Sequence, residues 1–285
     1  MKNIHFTSVS ETLFLPLYAR ARESQSLNPI ISDPLAEDLV NKLSDQFRES
    51  DSRLLNAMNE GRIPRKLPVS MGLRSRAFDR YVEDFARRNP SPVIINLGCG
   101  LDTRMSRVKA AGLDWYQIDL PAVIELRKEI LPPRSDEHLI ASSALDFTWM
   151  EKVRPENRPV LVCAEGLFMY LDAEGVRALL LELGRIYPGC ELIAEVFSLK
   201  WVKRLQSRYM QWKFRKQLHM DRSSTFTYGI KDSHEFEAFA PGFSLLGEWS
   251  YFDDREPKLR PVNFLGRFRS FRMIQWTVMY RLGGK

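Results

Sequence analysis

The residues able to do chemistry stand at the ends of apolar runs. INLGCG (residues 95–100) closes on Gly98 and Gly100, and LDTR follows it with a carboxylate, Asp102. Glycine permits a tight bend and lets backbone approach a ligand where a Cβ would obstruct it. The next apolar run ends on Asp119-Leu120. That is roughly twenty residues on, the spacing at which an acidic side chain accepts the hydroxyl hydrogens of a ribose. Together these residues point to a nucleoside-bearing ligand at the carboxyl ends of adjacent strands.

Two such ligands compete. A dinucleotide fingerprint requires a third glycine where Thr103 stands, and it seats pyrophosphate on a helix N-terminus. Asp102 reads as the N-cap of that helix, so its carboxylate satisfies those amides and repels phosphate. S-adenosylmethionine has no phosphate and carries an ammonium near its sulfonium, so negative charge suits it. Its carboxylate needs a cation, for which Arg20, in YARARES, and Arg74, on the helix before the first strand, are candidates. Ser143 and Ala144 end a third run, where a backbone amide and a small polar side chain can read an adenine edge. Glu165 ends a fourth, in CAEGLFMYL; a carboxylate after so apolar a run either faces the ligand pocket or marks a helix terminus.

Methyl transfer from a sulfonium is an in-line displacement, in which a protein mainly aligns acceptor, methyl carbon and sulfur. A carboxylate acceptor needs no base, whereas a phenol with a pKa of about 10 benefits from one. The sequence offers no convincing base. His219 and His234 lie in a late insertion expected to cover the substrate, where a lone histidine is more often a surface residue. Tyr170, just after Glu165, either contacts substrate or packs as core. The balance favours a carboxylate or an easily ionised hydroxyl as acceptor.

These groups need a scaffold that gathers strand ends. From Pro92 onward, short apolar runs alternate with amphipathic stretches, the pattern of a parallel sheet covered by helices. PVIINL, DWYQIDL, HLIASSAL, PVLVCAE and CELIAEVF read as strands, with helices beginning near Asp102, Pro121, Thr148 and Asp172. FSLLGEWSYF and RMIQWTVMYRL, with no convincing crossover helix between them, predict an antiparallel pair at the end of the sheet. Residues 1–90 read as a helical cap, in which Asp33-Pro34 is an N-cap followed by proline at the first helical position. Residues 44–70 are polar and irregular and read as a loop. Residues 91–285 read as the ligand-binding domain, with 200–235 as a lid-like insertion. There Trp201, Leu205, Tyr209 and Trp212 recur at helical spacing, as an aromatic stripe buried on the domain or as a wall of the acceptor pocket.

Composition narrows the class. With 285 residues and 44% hydrophobic content, the chain can bury a sizeable core. Its formal charge is +6, and the basic excess is concentrated in 201–222 and 255–285. A charge run is usually a solvated face, and no nucleic-acid module is evident. Three cysteines, an odd count without CxxC, argue for a reducing compartment and against a disulfide framework or zinc site. No run approaches the ~20 apolar residues of a membrane span, and the stretch around residues 12–19 lacks a secretory layout, so a cytoplasmic protein is expected.

NLGCGLDTR, QIDLP and AEGLFMYL resemble the signature blocks of the leucine carboxyl methyltransferase family, within it the bacterial polyketide-type (tetracenomycin-type) O-methyltransferase branch. ETLFLPLYARARES, NPIISDPLA and SALDFTWM also match that branch. The resemblance implies a seven-stranded class I, Rossmann-like methyltransferase sheet with its last strand antiparallel, and S-adenosylmethionine as donor. It implies that Arg20 and Arg74 clamp the methionine carboxylate, that Gly98, Gly100 and Asp102 line the methionine side, that Asp119 and Leu120 meet the ribose, and that Ser143 and Ala144 lie beside adenine. Glu165 is implied near the amino group and the reacting centre, making Glu165 and Tyr170 the candidate catalytic residues. Family members acting on a protein terminus commonly have Asp-Leu in place of Ser143-Ala144. That departure favours a small acceptor, polyketide-like or another secondary metabolite, over a protein C-terminal carboxylate. A nicotinamide-dinucleotide oxidoreductase and a non-catalytic cofactor-binding protein are the remaining alternatives.

Overall fold

The computed structural model describes residues 11–207 and 226–284. Four helices come first: α1 (Phe14–Ser24), α2 (Pro34–Glu49), α3 (Arg53–Asn59) and α4 (Lys66–Arg88). Asp33 caps α2, its Oδ1 accepting the Ala36 N–H at 3.1 Å, and Pro34 occupies the first turn where no donor is needed. The expected loop over 44–70 is instead largely helical. Ser52 caps α3 by accepting the Leu55 N–H at 3.2 Å, and α3 buries Leu54, Leu55, Ala57 and Met58. Two short apolar pairs are too little to read as periodicity, yet they fill a core with Phe14, Leu17, Leu39, Leu43 and Phe47.

Seven strands follow: β1 (Val93–Leu97), β2 (Asp114–Asp119), β3 (Glu137–Ala141), β4 (Val160–Ala164), β5 (Cys190–Phe197), β6 (Ser244–Ser250) and β7 (Gln275–Leu282). Their order across the sheet is β3-β2-β1-β4-β5-β7-β6, with β7 antiparallel to both neighbours and the other pairings parallel. Alternation splits the inner strands between two apolar layers. Val93, Ile95, Leu97, Val162, Ala164, Leu192 and Ala194 pack with Leu179 and Leu183 of α7 (Ala173–Ile186). Ile94, Leu161, Cys163 and Ile193 pack on the opposite face against Phe78, Val82 and Phe85 of α4.

The order reverses at β1, whose neighbours are β2 on one side and β4 on the other. The carboxyl ends of these strands therefore flank a crevice. The crossover from β1 contains a single helical turn, α5 (Arg104–Arg107), while α6 (Pro121–Ile130) joins β2 to β3. The helix expected near Thr148 is a 3-10 turn, Phe147–Lys152. After β5, α8 (Leu199–Leu205) begins the expected lid; Tyr209, Trp212 and His219 lie outside the described residues. Among the described residues no helix is long and apolar enough to cross a membrane.

Candidate active site

The loop after β1 adopts the backbone its glycines allow, with φ +64° at Gly98 and +47° at Gly100. A Cβ at Gly100 would stand 2.9 Å from Leu13 Cδ1. Gly100 N–H donates to Asp119 Oδ2 at 2.8 Å, and Leu120 N–H to Asp119 Oδ1 at 2.7 Å. One carboxylate thus ties together the turns after β1 and β2. Burial raises the Asp119 pKa, opposed by these two N–H groups and by Arg127. Its further acceptor capacity meets no donor among the described residues. Ser142 N–H donates to the Asp119 carbonyl at 2.9 Å, which sets the turn carrying Ser143 and Ala144 beside β2.

Behind the loop lies a network of ion pairs. Arg104 is 1% exposed and its guanidinium meets Asp79 at 2.9 Å, Asp102 at 2.6 Å and, more closely still, Glu165. Arg107 bridges Asp79 and Asp33, each at 2.8 Å, and donates to Thr103 Oγ1 at 2.6 Å. Arg20 reaches Asp33 with Nε at 3.1 Å and the Leu101 carbonyl with Nη2 at 2.8 Å. Arg74 holds Glu165 with Nε at 2.7 Å and Glu195 with Nη1 at 2.9 Å. The connected set Arg20, Arg74, Arg104 and Arg107 with Asp33, Asp79, Asp102, Glu165 and Glu195 carries one more carboxylate than guanidinium. Two donors stay open: Arg20 Nη1 and Arg74 Nη2 make no hydrogen bond to a described residue.

Burial pushes the Glu165 pKa up, but Arg74 and Arg104 outweigh it and hold the carboxyl below its usual range. Asp102 is likewise held low against burial, by Arg104 and Arg107. Its expected role as helix cap needs correction. Thr103 is the N-cap residue of the one-turn α5, and Asp102 instead accepts the Arg104 N–H at 2.9 Å, Arg104 Nη1 and Asn96 Nδ2. With so short a helix and so many internal partners, its charge is answered within the protein.

The structure therefore brings Arg20, Arg74, Gly98, Gly100, Asp102, Asp119, Leu120 and Glu165 to the crevice side of the sheet. Tyr170 sits in a 3-10 turn after β4, edge-on to Phe226 at 5.4 Å. The residue is 45% exposed, and desolvation at its hydroxyl together with Glu195 raises that group's pKa, with Arg74 opposing. His234 is exposed and paired with Glu237 at 2.9 Å, away from these groups. Arg104, Arg107, Asp79 and Glu195 escaped the sequence reading; the available signal was charge inside apolar surroundings, as in CELIAEVF. Among the described residues no group of His, Cys, Asp and Glu is placed to hold a metal ion.

Residues 14–184 match the leucine carboxyl methyltransferase family. The chain belongs to that family. This methyltransferase is 32% identical over 254 residues to the tetracenomycin polyketide synthesis O-methyltransferase TcmP of Streptomyces glaucescens, covering 88% of this chain and 86% of that protein. It is 29% identical over 298 residues to the S-adenosyl-L-methionine-dependent methyltransferase dpfgK of Gibberella zeae, covering 99% and 94%. A solved structure of a DUF574 family protein from Streptomyces avermitilis superposes with a TM-score of 0.57 at 13% identity, covering 97% of this chain and 98% of that one. That likeness extends to the fold, the seven-stranded sheet of the class I methyltransferases. The methyltransferase takes its methyl group from S-adenosylmethionine.

Proposed function

We propose that this methyltransferase is an O-methyltransferase whose acceptor is a small molecule presenting a carboxylate or a readily ionised hydroxyl, polyketide-like or another secondary metabolite. The observation that carries the reading is the pair of open guanidinium nitrogens, Arg20 Nη1 and Arg74 Nη2, in a network that also has an excess carboxylate. Such a set suits a ligand with a carboxylate and a net positive charge. The excess carboxylate disfavours a dinucleotide's pyrophosphate, the discrimination expected of an Asp102 cap.

When bound, S-adenosylmethionine supplies an electrophilic methyl on its sulfonium. Arg20 and Arg74 would receive the methionine carboxylate, and Glu165 the ammonium. Gly98 and Gly100 admit the methionine side past their bare Cα atoms, with Asp102 bracing the turn through Arg104. Asp119 would accept the ribose hydroxyl hydrogens, with Leu120 beside it, while Ser143 and Ala144 would flank adenine. Glu165 is poorly suited as a general base, because the two arginines lower its proton affinity and engage both its oxygens. Tyr170, protonated at neutral pH, can donate to an acceptor oxygen but not remove its proton. Without a base among these groups, an acceptor that arrives ionised is favoured. The buried cysteines Cys99, Cys163 and Cys190, all free, suit a cytoplasmic setting.

Calorimetric titration with S-adenosylhomocysteine and with NAD, followed by turnover of labelled donor against a panel of aromatic acids, phenols and protein C-terminal peptides, tests this. Binding of the first ligand alone and labelling of the acids are expected. Tight NAD binding, or label confined to the peptides, overturns the proposal.

A further inference from the structure

Glu195 is fully buried on β5, a strand otherwise almost wholly apolar. Leu192, Ala194 and Val196 belong to the apolar layer on one face, which leaves Glu191, Ile193 and Glu195 on the face toward α4. On α4, Arg74, Tyr81 and Arg88 recur every seventh residue, so two helical turns separate each from the next and all three share one side. Helix and strand are then joined at two levels. At the lower level Glu191 accepts Tyr81 Oη at 2.9 Å and both terminal nitrogens of Arg88 at 2.9 and 2.8 Å. At the upper level Glu195 Oε2 accepts Arg74 Nη1 at 2.9 Å, while its Oε1 takes Tyr251 Oη at 2.9 Å and Gln275 Nε2.

We propose that Glu195 is a positioning residue for donor binding. It fixes the Arg74 guanidinium so that Nη2 is presented to the methionine carboxylate before the donor arrives. The inference rests on the reading of Arg74 given above. A long arginine side chain has many rotamers, and ordering it on binding costs affinity unless the free enzyme has already ordered it. Glu165 alone cannot do so, since its single bond to Nε leaves the rigid guanidinium free to pivot about that bond, and it is shared with Arg104. Glu195 holds the far end, and Tyr251 and Gln275 in turn prevent its carboxylate from rotating. Residues from β7 and the segment after β6 thereby hold the β5 carboxylate that in turn holds the α4 guanidinium.

The test is Glu195→Gln, which keeps the shape and removes the charge, with Glu195→Asp as a second variant that keeps the charge and withdraws it by one methylene. Each is measured for S-adenosylhomocysteine Kd, donor KM, acceptor KM, kcat and thermal melting, beside Arg74→Ala. Exchanging a charge-assisted bond for a neutral one is expected to raise Kd and donor KM by about tenfold in Glu195→Gln. Glu195→Asp is expected to follow in the same direction, while kcat at saturating donor and the acceptor KM stay within about twofold. Unchanged Kd in a folded Glu195→Gln, or in Glu195→Asp where the first does not fold, overturns the proposal. So does an equal loss in kcat and both KM values, the signature of a merely structural residue. If Arg74→Ala itself binds S-adenosylhomocysteine normally, the reading of Arg74 fails; if it binds weakly while the Glu195 variants bind normally, only the positioning inference fails.

Discussion

Arg104→Met is the most demanding perturbation of this site. The substitution keeps the apolar stem and removes a guanidinium that is 1% exposed and pairs with Asp79, Asp102 and Glu165. Three carboxylates then remain in a region that already held an excess of them. Removing one partner of a buried ion pair typically costs about 3–5 kcal/mol, because the other charge is left uncompensated. For a chain of 285 residues, whose unfolding entropy is about 0.6 kcal/mol/K, that is a fall in Tm of roughly 5–8 °C. The pH dependence has a definite sign. Burial raises Asp102 and Glu165, yet the arginines leave both below their ordinary pKa. Carboxyls lowered in the folded state contribute stability that is present above their unfolded pKa and lost as pH falls through the folded one. In the variant the same carboxyls take up protons at higher pH, which relieves the strain. The gap between wild type and variant is therefore widest near pH 7.5 and narrows toward pH 4.5. Urea unfolding followed by far-UV circular dichroism at those two pH values measures it. A difference below about 1 kcal/mol at the higher pH, or one that widens as pH falls, refutes the reasoning.

Three further outcomes are expected. Asp119→Ala should weaken S-adenosylhomocysteine binding roughly 10- to 100-fold by calorimetry, the loss expected when hydrogen bonds to a charged group disappear. Gly100→Ala, forced into φ +47° with its Cβ 2.9 Å from Leu13 Cδ1, should lower stability by about 1–3 kcal/mol in urea titrations. His234→Ala should keep turnover within about twofold, because its ring is exposed and engaged by Glu237; loss of activity in a folded variant would mean that a base was overlooked.

Sequence periodicity was a sufficient guide where burial repeats. The runs from PVIINL to CELIAEVF fall on β1 to β5, and the late pair is antiparallel, because alternating side chains must fill two layers. It failed where burial depends on a few contacts: α3 hides Leu54, Leu55, Ala57 and Met58 in a stretch whose composition resembles a loop. The glycines and Asp119 were legible because their spacing is fixed by one strand–turn–strand unit. Arg104, Asp79 and Glu195 were not, since whether an arginine is buried is decided by carboxylates remote in sequence. Glu195 lies 121 positions from Arg74, and only the lie of α4 across β5 makes them partners. Asp33 shows both sides: its cap on α2 is local and readable, while its bonds to Arg20, Thr103 and Arg107 are not.

The origin of the two open guanidinium groups has a consequence for engineering. Arg20 and Arg74 are both carried by helices that precede β1, so under the proposed donor clamp the sheet by itself is not a transplantable donor-binding unit. A chimera joined near residue 90 would exchange the clamp together with the cap, and Arg74 would then face a foreign β5. Recombination between relatives should preserve donor affinity only when the helix bearing Arg74 and the strand bearing Glu195 come from the same parent.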